Sequence, residues 1–431
     1  MMPPPHPSRV AQHSMLAVAA FIVGLLGFLG GFFPFVGFVG TVGLVLGIVD
    51  LLHKDPGRPR RRTYAVMGVV FGGLSTAGAL IWVVAAVSVG QAAKKGSCPH
   101  LYAFDGETYQ LDADLASGAL YKAAERDDLD RLESLRPVGG EYRLRLQNDL
   151  QEIDHVDSLS LLVVDAPADL QVLPTQTGRL VGIRGAVAPL STSRIRASEL
   201  REAWTFEFER PKGERVYLVL RGRNTAFAEE AFVQYMATMG QGVRPLLELH
   251  GDAKPNCACH QQYLNAEIER LGLPLWISVS TPGSARLSHT LQPVGPAVPR
   301  SQALPIVLPE GGDRVTLRLE ATPRFWEIDQ VELASGVDTE LDIRVLAPRG
   351  PGALAADDQQ RVVLQPGERV DVLFDAPPEP RSGWSRTVVA KLRGYYDLDI
   401  GGTRGVNGAQ IVAHRLGWSS LPKFAAGLES R

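Results

Sequence analysis

Two cysteines and two histidines are the side chains whose types and spacing are best suited to metal chemistry. Cys257, Cys259 and His260 lie almost side by side, and His250 precedes them by a short segment. Thiolate and imidazole groups are ligands of zinc and of softer metal ions. The spacing Cys-x-Cys-His is not a usual structural zinc pattern, so a metal site here would need a further ligand from elsewhere in the chain.

A disulfide bond is the interpretation of the cysteines that we favour over a metal site. The chain contains three cysteines, Cys98, Cys257 and Cys259, which is too few for a disulfide framework. At most one bridge can form, and one thiol is then left over. A bond between Cys257 and Cys259 would close a very tight ring, and free thiols are the third alternative.

Acidic residues are concentrated at Asp149, Glu152, Asp154 and Asp157. Calcium is a hard cation that binds several oxygens, so these carboxylates are candidate calcium ligands. Their spacing matches no EF-hand loop, and we favour a polar turn between two strands. The chain also lacks a G-x-S-x-G, H-E-x-x-H or P-loop motif, so we predict no catalytic residue and no cofactor.

Adjacent aromatic residues are the remaining candidates for a binding role. The pairs Tyr395-Tyr396 and Phe325-Trp326 could stack on sugar rings. In a strand, one member of each pair faces the core and the other faces solvent. We favour packing in a core, or contact at the membrane interface, over sugar binding for both pairs.

The net charge of the chain excludes one class of partner. It is -3 at pH 7, whereas nucleic-acid binding requires concentrated positive charge. We therefore predict no nucleic-acid partner.

The elements that must position these residues begin with an apolar N-terminal segment. Residues 15–49 contain no charged side chain, and one continuous helix over them would be about 50 Å long, against a bilayer hydrocarbon core of ~30 Å. The Gly-Gly-Phe-Phe-Pro sequence at 30–34 breaks such a helix. We therefore predict a transmembrane segment over residues 15–91, after a tail at 1–14. Its helices are predicted at about 15–30, 35–52 and 64–91.

Basic residues predict the orientation of these helices. The loop at 51–63 carries Lys54, Arg58, Arg60, Arg61 and Arg62. The opposite flank of the last helix has only Lys94 and Lys95. By the positive-inside rule the loop lies in the cytoplasm, and residues 98–431 lie outside it. This predicts a multi-pass protein of the cell inner membrane, with the lipid bilayer as a partner and an extracytoplasmic domain.

Small residues recur in the predicted helices at a spacing that lets helix backbones approach closely. The pairs are Gly27 and Gly31, Gly43 and Gly47, and Gly68 and Gly72. They predict either a homo-oligomer through small-residue helix faces or packing within one chain, which we favour.

Strand patterns dominate the rest of the chain. Asp105-Gly106 between two short apolar runs indicates a hairpin, and Tyr142, Leu144 and Leu146 alternate with arginines as in a half-buried strand. Many short strands predict antiparallel β-sandwich domains, so the fold class is membrane-anchored and mainly β. The predicted parts are a β-rich domain at 98–200, a β-sandwich at 201–335 with a two-helix excursion at 225–272, a β domain at 336–405 and a C-terminal tail at 406–431.

Two parts of the chain resemble bacterial envelope proteins. The first part, about 90 residues long, resembles a Gly-rich multi-helix membrane segment of unknown function, with a Phe-Pro break, the Gly43/Gly47 helix and a basic loop. The rest resembles a group of uncharacterised bacterial envelope proteins. The motifs that carry this second resemblance are Cys98-Pro99, Asp105-Gly106, Gly140-Glu141-Tyr142-Arg143, Asn148-Asp149-Leu150, Phe325-Trp326-Glu327-Ile328-Asp329 and Gly394-Tyr395-Tyr396-Asp397. The resemblance implies no established activity and no catalytic residue.

These observations predict a membrane-anchored binding or assembly module of the cell envelope. Its expected partner is an envelope protein or a glycan, because the chain has a β-rich architecture and no recognisable reaction centre. The alternative is an envelope enzyme, a metal-dependent or glycan-directed hydrolase, whose residues converge only in three dimensions.

Overall fold

The structure is a computed structural model of the 431-residue chain. It describes residues 19–23, 25, 39–52, 64–76, 99–213, 215–248, 258–282, 284, 286–337, 341–358, 360–400, 402 and 404–429, with only the backbone at 39–40 and 258–261. The chain forms two compact units, Met1–Ala93 and Lys94–Arg431, and each is described by itself.

The first unit corrects the prediction of transmembrane helices. In the described part of the chain, no helix is both long enough and apolar enough to cross a membrane. Helix α1, Val39–Leu52, has 14 residues, which gives a length of about 21 Å against the ~30 Å that a span requires. Helix α2, residues 64–76, is of similar length. The remainder of the predicted spans, including 26–38 and 77–91, lies outside the described residues.

The membrane-anchored fold class was therefore wrong, and the conclusions drawn from it are corrected with it. These are the multi-pass inner-membrane location and the assignment of residues 98–431 to the outside of the cytoplasm. The physical reason is helix length, since the positive-inside rule orients a helix only if that helix spans the bilayer. The basic loop on which the orientation depended lies outside the described residues, apart from its first two positions.

Close helix packing explains two of the small residues in the first unit. A Cβ added at Gly47 would lie 2.9 Å from the carbonyl oxygen of Ala65, and one added at Gly68 would lie 2.9 Å from the Ala20 backbone. Both distances are shorter than real Cβ contacts, so only glycine fits at these positions. The contacts are within one chain, which is the packing that the sequence favoured, and the homo-oligomer stays a prediction.

The second unit is mainly antiparallel β-sheet. Its strands are, in chain order, β1 (His100–Phe104), β2 (Tyr109–Asp114), β3 (Arg126–Arg131), β4 (Glu141–Gln147), β5 (Glu152–Pro167), β6 (Gln171–Pro174), β7 (Leu180–Val187), β8 (Ser191–Ser198), β9 (Arg201–Glu209), β10 (Val216–Asn224), β11 (Leu275–Ser280), β12 (Leu287–Leu291), β13 (Arg300–Ile306), β14 (Arg314–Ala321), β15 (Trp326–Gly336), β16 (Ile343–Leu346), β17 (Val362–Leu364), β18 (Arg369–Asp375) and β19 (Trp384–Leu398). Its α-helices are α3 (Ala226–Ala237), α4 (Val243–Leu247), α5 (Ala258–Arg270), α6 (Gly408–Arg415) and α7 (Leu421–Glu429).

Two sheets form a first sandwich from both ends of this unit. One sheet has the strand order β18-β4-β1-β2, and the other has the order β16-β5-β19-β3, with β17 also on β5. Alternation on β4 turns Tyr142, Leu144 and Leu146 into the core, where each is at most 1% exposed. The longest pairing joins β5 to β19, from Pro167 opposite Trp384 to Glu152 opposite Leu398. This sandwich is therefore built from chain segments that lie far apart in sequence.

A second sandwich lies between β5 and β16 in the chain. Its sheets have the orders β13-β10-β15-β7-β6 and β12-β11-β14-β9-β8. Buried residues of both sheets, including Phe208 and Leu218, form one core cluster, and helix α3 adds Tyr235 and Met236 to that cluster. We call these two parts the first and second sandwich.

Helix α3 lies within the predicted helical excursion at 225–272. The Thr225 hydroxyl accepts a hydrogen bond from the backbone nitrogen of Ala228 at 3.0 Å, which caps the helix N-terminus. The helix ends at Ala237, and Gly240, whose φ of 60° suits glycine, begins a short 3-10 helix. Helix α7 packs on α3, with the ring centroids of Phe424 and Tyr235 5.7 Å apart.

Candidate ligand-binding cleft

A polar cleft of about 550 Å³ lies between the two sandwiches. Its volume is in the range of small-molecule binding sites. The first sandwich contributes strands β3 and β19, and the second contributes β13 and the turn between β6 and β7. We call it the inter-sandwich cleft. It is lined by Arg126, Asp127, Asp128, Leu129, Pro174, Thr175, Gln176, Thr177, Gly178, Asn265, Thr290, Gln292, Pro293, Val294, Arg300, Gln302 and Lys391.

A buried arginine joins the two sandwiches at this cleft. Arg300 is 6% exposed and begins β13. Its Nη1 lies 2.9 Å from Oδ1 of Asp128, and its Nε lies 3.1 Å from Oδ2 of Asp130. It also donates a hydrogen bond to the backbone carbonyl oxygen of Asp114. The two aspartates are alternate residues of β3, so the strand presents both to the same side.

Burial affects the two aspartates differently. For Asp128, burial would raise the pKa, but the charges of Arg300 and Arg126 hold it below its ordinary value. For Asp130, burial outweighs the charge of Arg300 and raises the pKa to about 7, helped by the nearby carboxylates of Asp128 and Asp114. Asp128 is therefore the ionised partner of Arg300 at neutral pH, and Asp130 titrates near it.

Two side-chain amides in the cleft have buried polar atoms without a hydrogen-bond partner. The Nε2 atom of Gln302 and the Oε1 atom of Gln292 are buried and unpaired among the residues that the structure describes. Gln302 is 5% exposed and is separated from Arg300 by one residue of β13. Such atoms are costly because each has lost its hydrogen bonds to water. Rotation of either side chain toward the cleft would bring its amide within reach of a ligand that supplies a donor or an acceptor.

A tight turn places further polar groups at the cleft. Between β6 and β7, the backbone nitrogen of Thr175 donates to the carbonyl oxygen of Arg179 at 2.8 Å. The turn needs Gly178, whose φ is 75°. Gln176, which follows Thr175 in this turn, donates a hydrogen bond from Nε2 to the carbonyl oxygen of Thr290 at 3.2 Å. This bond ties the turn to β12.

Both carboxylates lining the described part of the cleft take part in ion pairs. Asp127 lies 3.1 Å from Nζ of Lys391 and 3.2 Å from Nη1 of Arg393. Asp128 is held by Arg300, and its Oδ2 also accepts a hydrogen bond from the backbone nitrogen of Ala116 at 2.9 Å. Arg300 and Arg126 favour the ionised form of Asp128. Both carboxylates are therefore engaged with basic side chains.

The cysteine and histidine cluster predicted from the sequence lies mostly outside the described residues. Cys98, Cys257 and His250 are among the residues not described, and only the backbone of Cys259 and His260 is described, in the first turn of α5. Within the described residues no group of three or more His, Cys, Asp and Glu side chains is arranged to hold a metal ion. The metal site and the disulfide therefore stay predictions.

The acidic run lies in a strand and not in the polar turn that we favoured. Glu152, Asp154 and Asp157 belong to β5 and are buried. Asp149 precedes the strand and accepts hydrogen bonds from His100 Nδ1 at 2.9 Å and from the Tyr102 hydroxyl at 2.5 Å. The hydrogen bond from His100 holds the pKa of Asp149 at about 2.

The other side of His100 also faces a carboxylate, since its Nε2 lies 3.4 Å from Oδ1 of Asp114. Burial would lower the pKa of His100, but Asp149 and Asp114 together raise it. Asp149 and Asp114 thus form a buried ionic cluster with His100, whereas Asp157 lies 3.9 Å from Nε of Arg393. Within the described residues no group of carboxylates in this run is arranged to hold a metal ion, and the calcium site stays a prediction.

We expect Asp154→Asn to stabilise the protein more at pH 8 than at pH 5. Burial raises the pKa of Asp154 to about 7, above its value in an unfolded chain. Between those two values the folded state binds more protons, so the wild-type free energy of unfolding falls as pH rises. Asparagine has no such dependence. The difference between variant and wild type should grow by about 1–2 kcal/mol from pH 5 to pH 8 in urea unfolding.

The exposed Asp313 provides the matched control. Asp313→Asn should show a difference from wild type that changes little between the two pH values. A difference for Asp154→Asn that shrinks with rising pH would contradict the burial argument.

The paired aromatic residues pack in the core, as the sequence favoured. Phe325 is fully buried and Trp326 is 2% exposed, and the indole nitrogen of Trp326 donates to the carbonyl oxygen of Leu273 at 2.9 Å. Tyr395 is 7% exposed and stacks on His155, with ring centroids 4.4 Å apart, and Tyr396 is 3% exposed. None of the four therefore offers a free face for sugar stacking.

The fold and cleft define a protein of two antiparallel β-sandwiches with a polar cleft of small-molecule size between them. No protein-family model matches the chain, and no curated protein matches it. One solved structure with some likeness is that of the GH31 alpha-xylosidase from Xanthomonas citri, with 12% sequence identity and a TM-score of 0.17. The match covers 64% of this chain and 25% of that one. A likeness at this score supports no conclusion about fold or activity.

Proposed function

We propose that this protein binds a polyhydroxylated ligand of the glycan class in the inter-sandwich cleft. The observation that carries the proposal is the pair of unpaired amide atoms, Nε2 of Gln302 and Oε1 of Gln292. A hydroxyl group both donates and accepts a hydrogen bond. Hydroxyls on one molecule can therefore satisfy a lone donor and a lone acceptor once the two amides turn toward the cleft that both residues line.

The other groups in the cleft support the same class of ligand. Thr175, Thr177 and Thr290, together with Gln176 and Asn265, line its walls. Charged ligands are less well matched, because the lining contains Arg126, Arg300 and Lys391 together with two aspartates. Such a mixed polar surface suits a neutral ligand that makes many hydrogen bonds, which fix its orientation and provide specificity.

Binding is better supported than hydrolysis at this cleft. Most glycoside hydrolases use two carboxyl groups, one of them protonated to serve as the general acid. The carboxylates that line the described part of this cleft, Asp127 and Asp128, are both held in ion pairs with basic side chains. The observations therefore favour a binding protein over the glycan-directed enzyme considered from the sequence.

Gln302→Leu should weaken glycan binding by about 10- to 100-fold. Leucine keeps much of the side-chain volume but removes the buried amide, and a ligand hydroxyl would then lose a partner worth about 1–3 kcal/mol. The experiment begins with a glycan array probed with the 431-residue chain. Isothermal titration of the best ligand against wild type and variant then gives the ratio of dissociation constants.

The control is Gln330→Leu, which changes an exposed glutamine on β15 of the same sheet. It should bind like wild type. The proposal fails if no glycan binds above background. It also fails if Gln302→Leu and Gln330→Leu bind the selected glycan equally well.

A further inference from the structure

An exposed apolar patch lies at the C-terminal end of helix α6. It consists of Val412, Leu416 and Trp418, each more than half exposed, and Trp418 is 72% exposed. Val412 and Leu416 are four positions apart in helical conformation, so they share one face of the helix. The backbone nitrogen of Trp418 donates to the carbonyl oxygen of Ala413 at 2.8 Å, which holds Trp418 at the helix end. We call these three residues the C-terminal patch.

The patch faces away from the core. His414 lies two positions from both Val412 and Leu416, on the opposite side of α6, and it has no exposed surface. Its ring and that of Phe424 on α7 both pack on Tyr235, each with ring centroids 5.7 Å apart. Helices α6 and α7 therefore turn their inner faces to the same residue of α3, and their outer faces are both available to a partner.

Positive charge flanks the patch. Arg404 precedes α6 and Lys423 lies on α7, and both are exposed. Neither forms an ion pair with any residue that the structure describes, whereas Arg415 is paired with Glu267 and is left out of the argument. Residues 400–428 contain no aspartate or glutamate. The charge of Arg404 and Lys423 is therefore available to an anionic partner.

We infer that the C-terminal patch docks on the surface of an anionic lipid bilayer, with the Trp418 indole among the headgroups and α6 lying along the surface. Exposed apolar patches mark interaction sites, and tryptophan beside basic residues is suited to the headgroup region. A second copy of the chain is less well matched, because a twofold interface would bring the basic residues of the two copies together. This inference is independent of the glycan proposal, since it involves other residues.

Fluorescence quenching tests the contact at Trp418 itself. The 431-residue chain is mixed with vesicles that contain phosphatidylcholine brominated near the headgroup, with or without phosphatidylglycerol. Trp418→Phe should remove part of the quenching by the anionic vesicles, because bromine quenches the tryptophans that it contacts. Trp276→Phe is the control and should leave the quenching unchanged, since the Arg201 guanidinium covers that ring at 3.6 Å. Equal quenching of wild type and Trp418→Phe would overturn the inference.

A charge variant tests the lipid class. Arg404→Gln/Lys423→Gln should raise the concentration of anionic vesicles needed for half-maximal quenching of Trp418 by at least about fivefold. Lys212→Gln/Arg314→Gln removes two exposed charges from the second sandwich and should behave like wild type. Equal quenching of Trp418 by anionic vesicles and by vesicles without phosphatidylglycerol would contradict the inference. A wild-type dimer that Leu416→Glu dissociates, seen by sedimentation without lipid, would place a second copy on the patch and would also overturn it.

Discussion

Arg300→Met should lower the free energy of unfolding by about 3–5 kcal/mol at pH 8, because it leaves buried carboxylates without their cation. Arg300 is bound to Asp128 and Asp130 and to the carbonyl oxygen of Asp114, and the three charged side chains are at most 11% exposed. Methionine fills much of the volume but supplies no charge and no donor. Urea unfolding of wild type and variant, followed by circular dichroism, measures the difference.

The loss should be smaller at pH 5 than at pH 8. The pKa of Asp130 is already raised to about 7 by burial, and removal of Arg300 raises it further. At pH 5 this carboxyl is then protonated in the folded variant, so less uncompensated charge is buried. The sign follows from linkage, since a group with a raised folded pKa destabilises the protein as pH rises through the interval between its unfolded and folded values.

Arg184→Met is the matched control for this prediction. Arg184 lies on β7 of the same sheet as β13, and it pairs with Asp169 at 2.8 Å. Both side chains of that pair are largely exposed, so we expect a loss of at most about 1 kcal/mol. Equal losses for Arg300→Met and Arg184→Met would contradict the view that the buried cluster joins the two sandwiches.

Glu267→Gln should lower the free energy of unfolding by about 2–4 kcal/mol, because it removes the charge that pairs with a fully buried histidine. His414 on α6 has no exposed surface; its Nε2 contacts Oε1 of Glu267 on α5, and its Nδ1 lies 2.9 Å from the Tyr235 hydroxyl on α3. Three helices therefore meet at one imidazole. Hydrogen exchange over residues 408–429 should become faster in the variant, since α6 and α7 lose this attachment.

The stability that Glu267 contributes increases as pH rises, whereas the buried Asp130 lowers the stability of the protein as pH rises. The pKa of Glu267 is held below its ordinary value by His414, Arg415 and Arg270, against the effect of burial. Its contribution to stability is present above the unfolded pKa and is lost as pH falls through the folded value. Wild type and Glu267→Gln should therefore converge in stability below about pH 4.

Glu269→Gln provides the control, because Glu269 is exposed on the same helix. It should change stability by at most about 0.5 kcal/mol. A wild-type rate of exchange over residues 408–429 in Glu267→Gln, with unchanged stability, would mean that the buried network does not attach the C-terminal helices.

The hydropathy of the N-terminal region led to a wrong fold class. Apolar composition indicates that a segment avoids water, but it does not give the length of an uninterrupted helix. Helix α1 ends at Leu52 after 14 residues, and a span needs about 20. The glycine spacing was more informative, since Gly47 and Gly68 lie at close backbone approaches within the chain.

Local features of the second unit were predictable from the sequence. The Asp105-Gly106 turn joins β1 to β2, with Gly106 at a φ of 110° and Asp105 accepting hydrogen bonds from two backbone nitrogens at 2.8 Å. The alternation of buried and exposed residues in β4 and the apolar face of α3 were also predictable. Each depends on residues within a few positions of one another, so the pattern is contained in a short window of sequence.

The cleft could not be predicted in this way. Arg300, Gln302 and Gln292 match no motif, and they lie in a Pro-rich stretch in which β13 begins at Arg300. The partners of Arg300 on β3 are 170 and 172 positions away in the chain.

The sequence by itself determined the strand periodicity, the hairpin turn and the cap of α3, because these depend on neighbouring residues and on the allowed backbone conformations of glycine and of capping side chains. Only the tertiary structure decided that β5 pairs with β19, that the second sandwich lies between β5 and β16, and that Arg300 meets Asp128 and Asp130. The hydrophobic pattern of a strand specifies which face is buried, but many strands offer an equivalent face. The choice among them is made by the packing of the whole chain, and the cleft exists only once that choice is made.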